Sequence, residues 1–440
     1  MLEKFFGRSK NNEGEEGKPT VQFGRYSDNN KPIKKLTRWN EADLLFKEKK
    51  YSKSIAAFFD YLSDDAVQNV KHKQSGSGGS FQFYQGSKII TGTYNKEWLE
   101  AEVALASMPV LSVPVMRRLL EMNFALYYSR CALTDNKLSM LFDSDLEMAN
   151  PSKLYYGLRE LATKADKQDD LLVQDFTSII SIDNEHITDL PEKEKEIKFT
   201  FFQQWIKETL ALVQTIDGEK YSGGVAYLLL SLAYRIDFLI VPEGRLLQAL
   251  EKIVQIYFKK DDRPISEKNT EMIDEFGKLL LKEKDDIFSN LFRSKYTFSI
   301  VLPQTYKTIS DAIYNANQNI TWYQENKHPE MAAKISEYGI AYCQYSYSLP
   351  RPITEFFLLF MMFNYPEYFE ALGYSIPYYN QENKELNKEA IIQAIVAIEK
   401  DWKTKYPSMK MKKEKLDFKN KTALNLSYTT EIENLNLELK

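Results

Sequence analysis

At 440 residues and a net charge of -4, the chain is long enough for two or three domains with cores of their own. The charge excludes a global attraction to nucleic acid or to anionic membrane. Apolar residues make up 43% and charged residues 27%, the balance of an ordinary globular protein.

Cys131 and Cys343 stand far apart among apolar neighbours, which predicts buried free thiols, in keeping with a reducing cytosol. The N-terminal MLEKFFGRSKNNEGEEG has no apolar run of signal-peptide length, and residues 1–17 are too polar to fold. Arg235 and Asp237 interrupt Val225 to Val241, the longest apolar candidate for a membrane span, and Phe356 to Phe363 is too short for one. A cytoplasmic protein without an integral membrane segment is the expectation.

From Leu36 to Leu62 the apolar spacing is helical, with a polar break at Lys49-Lys50. LLFKEKKYSKSIAAFFDYL resembles one helix pair of a tetratricopeptide repeat, but no second copy follows at the required period. A strand is expected near residues 66–70, and the glycine-rich Gln74 to Ser80 then reads as a hairpin loop. It lacks the Gly-Lys-Ser/Thr ending of a phosphate-binding loop.

Leu99, Ala101, Val103 and Leu105 alternate with Glu100 and Glu102, the period of a sheet with one buried and one wet face. Ser112 and Pro114 predict the start of a helix running to Phe124. Met116, Leu119, Leu120, Asn123 and Phe124 read as its inner stripe, so Leu119 and Leu120 are expected in the core and Asn123 as a cap or turn residue. Thr134 to Lys137 turns a hairpin, and Asn150-Pro151 opens a helix with Leu154, Leu158 and Leu161 at helical spacing. Asp175 to Ile182 allows one more strand.

Residues 183–196 read as a polar, proline-containing linker. Amphipathic helices follow, with an extended piece from Tyr296 to Leu302. The succession Phe356 to Phe363 must be covered on every side, and the helix holding it is expected to plug the helical domain. Near the end, Leu424, Leu426 and Tyr428 alternate, allowing an edge strand. The division expected is therefore a tail at 1–17, an α+β domain at 18–182, the linker, a helical domain at 197–349 and a C-terminal extension at 350–440 with a basic Lys410 to Lys421 segment.

Catalytic signatures are sparse. His72, His186 and His328 have no partner at metal-ligand spacing. Asp143-Ser144-Asp145 resembles a sugar-nucleotide transferase metal motif, yet it closes a hairpin strand and reads better as a solvated strand end. No cofactor and no metal are expected.

The order helix, strands, helix, hairpin, helix resembles the YbjN-like family, which shares the fold of type III secretion chaperones. The match centres on Pro114-Val-Met-Arg-Arg-Leu-Leu-Glu-Met-Asn123-Phe, followed by the Ser129 to Asp145 hairpin and Leu154-Tyr-Tyr-Gly-Leu-Arg-Glu-Leu161. It covers about residues 36–175. The resemblance implies an α+β fold whose antiparallel sheet is followed here by an all-helical region. It also implies a non-enzymatic, protein-binding, chaperone-like factor of bacterial type, of a kind often found as a homodimer in the secretion chaperones. The expected partner is another protein, not a nucleic acid. Tyr84, Trp98, Tyr127 and Tyr128 are the candidate contact residues, against the alternative that they finish a core or a domain seam. Two other readings stay open: an enzyme whose site forms between the domains, and a peripheral membrane or nucleic-acid scaffold using the Lys410 to Lys421 segment.

Overall fold

The computed structural model describes residues 21–28, 31–65, 67–182, 187–380 and 385–438. It divides into two compact units that do not follow the chain linearly. Of the described residues, those within 30–189 and 293–300 form one, and those within 21–28, 190–292 and 301–438 the other.

The first unit is α+β. Helices α1 (Ile33–Lys47) and α2 (Tyr51–Leu62) are separated at Lys49, whose φ of 58° breaks the helix where the polar break was expected. Strands β1 (Val70–Ser75), β2 (Gly78–Gln85), β3 (Lys88–Tyr94) and β4 (Trp98–Ser107) follow, then α3 (Val113–Asn123), β5 (Ser129–Thr134), β6 (Lys137–Asp145), α4 (Pro151–Asp175) and the two-residue β7 (Ile180–Ser181). Four strands thus precede α3, the one expected near 66–70 and three more. The strand expected at 66–70 runs instead from Val70 to Ser75, and the loop expected over Gln74 to Ser80 shrinks to Gly76 and Ser77, with Gly76 turning the chain at a φ of 59°.

The sheet order is β1-β2-β3-β4-β6-β5, with β7 pairing β4. Its register sets two faces. Phe83, Ile90, Val103 and Met140 form one inner row, and Phe81, Gly92, Ala101 and Phe142 the next. The expected burial of Leu99, Ala101, Val103 and Leu105 holds, each at 2% exposure or less, with Glu100 exposed and Glu102 half-buried on the opposite face. Asn150 caps α4 by accepting from the Lys153 N–H at 2.9 Å, and Pro151 occupies its first turn. Gly157 lets this helix lie against the Phe142 ring, where a Cβ would come within 2.4 Å.

The face of α3 differs from the expected one. Val115, Leu119 and Met122 are its buried residues, whereas Leu120 is 63% and Phe124 94% exposed. Apolar side chains occur all round this helix, so its spacing alone does not select the inner stripe. Ser112 stands at its N-cap without a side-chain bond.

The segment 293–300 returns to the α+β unit. Gln85 Oε1 accepts from the Phe298 N–H at 3.0 Å, Thr297 Oγ1 donates to the Tyr84 carbonyl at 2.8 Å, and the Phe298 ring is fully buried against Phe83 and Tyr155.

The second unit is helical: α5 (Glu192–Gln214), α6 (Ser222–Leu239), α7 (Gly244–Phe258), α8 (Ile265–Leu280), α9 (Lys284–Phe288), α10 (Tyr306–Glu325), α11 (Pro329–Ile335), α12 (Tyr338–Ser346), α13 (Arg351–Asn364), α14 (Pro366–Ala371), α15 (Lys388–Trp402) and α16 (Lys421–Glu433). Every residue from Phe356 to Phe363 is fully buried, in a core shared with α6, α15 and α16. The C-terminal stretch is therefore part of the same core as the preceding helices. Leu424 to Tyr428 lies in α16, not in an edge strand, because Asn420 caps that helix by accepting from the Ala423 N–H at 2.9 Å. Val21 and Phe23 also belong to this core, so residues 21–28 pack with the helical unit. Among the described residues, no helix is long and apolar enough to cross a membrane.

Candidate functional site: the open face of the sheet

The outer sheet face carries two polar rows. One runs Lys71, Gln82, Thr91, Glu102, Leu141 and Arg130 across six strands; the other runs Lys73, Ser80, Thr93, Glu100 and Asp143. They line an open hollow of about 620 Å³ with Trp98 at its margin. Its charges are zoned. Lys71 and Lys73 occupy the β1 side, neutral hydroxyl and amide groups follow, three carboxylates stand on β4 and β6, and Arg130 closes the row on β5.

Each carboxylate is held in place. Glu102 Oε1 accepts from the Ser139 hydroxyl at 2.6 Å, Glu100 Oε1 accepts from the Thr93 hydroxyl at 3.2 Å, and Asp143 pairs with Arg130. Trp98 is 39% exposed. Asn95 fixes its backbone: the Asn95 side-chain oxygen accepts from the Glu97 and Trp98 N–H groups at 2.8 and 2.9 Å, which tightens the β3–β4 turn.

The four aromatic candidates do not converge. Tyr84 and Trp98 lie on the same face but near opposite ends of the strands, about 20 Å apart at roughly 3.3 Å per residue. Tyr84 is also only 8% exposed, with the Lys71 and Lys295 ammonium groups 5.9 and 5.3 Å from its ring. Burial removes it from the candidate contact surface and makes it an anchor for segment 293–300. Tyr127 and Tyr128, at 91% and 43% exposure, precede β5. Their N–H groups donate to the Glu160 carboxylate at 2.9 and 2.8 Å. Beyond Glu100 and Glu102, the period-two signal of these polar rows is present in VKHK, SFQ and TGT.

Other chemistry-bearing residues have structural surroundings. His72 Nε2 lies 2.9 Å from the Tyr94 hydroxyl, its ring is stacked on Phe59 and Tyr94, and burial lowers its pKa. His328 sits against Tyr221, ring centroids 4.2 Å apart, and His186 lies outside the described residues. Burial pushes the half-buried Cys131 thiol up to about 11, so it stays protonated near neutrality. Cys343 is buried, and its thiol pKa is also raised.

Asp143-Ser144-Asp145 ends β6, with Lys153 Nζ donating to the Ser144 hydroxyl at 2.8 Å. Among the described residues, no group of three His, Cys, Asp or Glu side chains is arranged to hold a metal ion. In the basic C-terminal segment Lys413 pairs with Glu399 at 2.7 Å, and Lys421 donates to the Asn364 carbonyl at 3.3 Å. The chain matches no protein-family model and no curated protein.

Proposed function

We propose that this chain is a non-catalytic, chaperone-like interaction factor of bacterial type, acting in the cytoplasm, whose α+β unit binds a segment of another protein. The observation that carries this reading is the open outer face of the sheet, with a partly exposed tryptophan beside it. A partly exposed aromatic with few rotors to freeze is a frequent hot spot, and the arrangement of charges favours a partner segment of mixed charge in one orientation. The YbjN-like order of elements agrees with a protein-binding role.

The test is capture from lysate by the full chain and by two variants, Trp98→Ala and Thr93→Arg, with thermal melting measured alongside. Both residues are exposed, so melting should stay within a few degrees. A partner retained by the wild type and lost by both variants supports the reading. Equal capture by all three proteins overturns it.

A further inference from the structure

Residues 21–27 belong to no helix or strand, yet they lie in the helical unit with alternate side chains turned inward. Val21 and Phe23 are buried, Arg25 is nearly so, and Gln22 faces solvent. Each inward position has its own receptor. The Phe23 ring lies among Phe369, Tyr374 and Tyr368, with centroids 5.2, 6.1 and 6.5 Å away. Gly24, at a φ of 68°, lays its backbone on Phe238, whose ring a Cβ would meet at 2.7 Å. Its N–H donates to the Phe238 carbonyl at 2.8 Å, and the Ser27 hydroxyl donates to the Leu349 carbonyl at 3.0 Å.

Arg25 fills the most selective position. Its Nη2 donates to Asp237 Oδ1 at 2.6 Å and its Nε to Asp237 Oδ2 at 3.0 Å. Glu251 stands 3.7 Å from Nη1, and the Tyr345 ring centroid 4.7 Å from the central guanidinium carbon. A carboxylate taken at both oxygens, a second acid and an aromatic face suit a planar guanidinium and not an ammonium. Burial raises the Asp237 pKa, Arg25 pulls it down and Glu251 raises it again. Without a guanidinium, two acids face each other inside the fold.

We propose that this groove is a receptor for extended protein segments of the form apolar-x-aromatic-Gly-Arg, and that residues 21–27 occupy it as the chain's own competitor. Separate pockets for alternate side chains are the way extended peptides are read. The walls come from α6, α7, α12 and α14, so the groove is built without the occupant's covalent link to the chain. That link sets the occupant's effective concentration, on the order of millimolar for a short tether. The charge complementarity names the partner: a segment carrying arginine two residues after an aromatic. The groove belongs to the helical unit and not to the sheet beside Trp98, so either reading can fail alone.

The test is fluorescence anisotropy of a labelled peptide copying residues 21–28, added to the full chain, with circular dichroism melting alongside. The double variant Phe23→Ala, Arg25→Ala weakens the competitor and should bind the peptide at least about tenfold more tightly than wild type does. Peptides carrying Arg25→Lys or Gly24→Ala should bind at least about tenfold more weakly than the unchanged one. A second protein covers the case of a double variant that fails to fold: wild type with a protease site inserted between Asn29 and Asn30, cut while folded. There the labelled peptide should exchange with the released segment. A folded double variant or cut protein that takes up no peptide overturns the proposal. So does a cut protein that unfolds once the segment leaves, which makes residues 21–27 an integral part of the core. Binding indifferent to Arg25→Lys and Gly24→Ala overturns it as well.

Discussion

The Asn123 side-chain oxygen accepts a hydrogen bond from the Cys131 backbone N–H at 2.7 Å. Asn123 ends α3, and Cys131 belongs to β5, the edge strand of the sheet. Glu160 on α4 continues the same arrangement by accepting from the Tyr127 and Ser129 N–H groups, both at 2.9 Å. Three alternate outward N–H groups, which on a bare edge would recruit another strand, are thus closed by side chains of the same unit.

Asn123→Ala should therefore do more than remove a helix-end residue. Freeing the Cys131 N–H should cost about 1–2 kcal/mol in urea unfolding, and Asn123→Asp, which keeps the acceptor, should cost less. A loss below about 0.5 kcal/mol for the alanine variant would show that solvent replaces the bond without penalty.

Glu160 makes stability depend on pH. Burial favours its neutral form, but the backbone hydrogen bonds from Tyr127, Ser129 and Tyr128 and the Ser129 hydroxyl outweigh that, so its pKa lies below the usual carboxylate value. A carboxyl depressed in the fold adds stability at pH above its unfolded value of about 4.3, and that stability is lost as pH falls through the folded value. Glu160→Gln should be less stable than wild type at pH 7, and the gap should close between about pH 5 and pH 3. Parallel pH curves for the two proteins would refute this.

Gly92 faces inward between Phe81 and Ala101. A Cβ there would come 2.2 Å from the Phe81 ring and 2.4 Å from the Glu100 carbonyl, and the ring cannot retreat because it stacks on Phe59 at 4.4 Å. Gly92→Ala should destabilise by about 1–3 kcal/mol. In a Phe81→Leu background the added cost should shrink, a coupling that a double-mutant cycle measures directly. Additive effects would mean that the carbonyl, not the ring, sets the limit.

Leu120→Ala should change stability by less than about 0.5 kcal/mol, as expected for an exposed position, whereas Leu119→Ala should cost about 2–5 kcal/mol. Denaturation of the two variants side by side decides which face of α3 is buried.

The contrast between Leu119 and Leu120 marks where the sequence stops being informative. The β4 faces were legible because Glu100 and Glu102 alternate with apolar residues and only one register satisfies both. The α3 stripe was not, since Val113, Val115, Met116, Leu119, Leu120 and Phe124 surround the helix and their spacing singles out no one side. Leu424 to Tyr428 alternates over too few residues to outweigh the Asn420 cap and helical packing. The return of Tyr296 to Phe298 beside Tyr84 and Gln85 depends on pairing across more than 200 positions, which no local pattern encodes. The polar rows opposite the core were written in the strands but become a surface only when six strands are set in register.

The last prediction concerns the charges that interrupt the most apolar helix. On α6, Asp237 takes a bidentate contact from Arg25, and Arg235 Nε donates to Glu337 Oε1 at 3.0 Å. Arg235 and Glu337 are both 4% exposed at the side chain, and the Tyr365 hydroxyl also donates to Glu337. The guanidinium lies 4.7 Å from the Tyr365 ring centroid. Removing one partner leaves a buried charge without its counterion, so Glu337→Gln should destabilise by about 3–5 kcal/mol. Replacing both partners with apolar residues, Arg235→Met with Glu337→Leu, should cost less than Glu337→Gln alone, because no charge then remains to be desolvated. Chemical denaturation of the three proteins gives the answer. A double variant worse than Glu337→Gln would show that the pair contributes net attraction beyond its own desolvation.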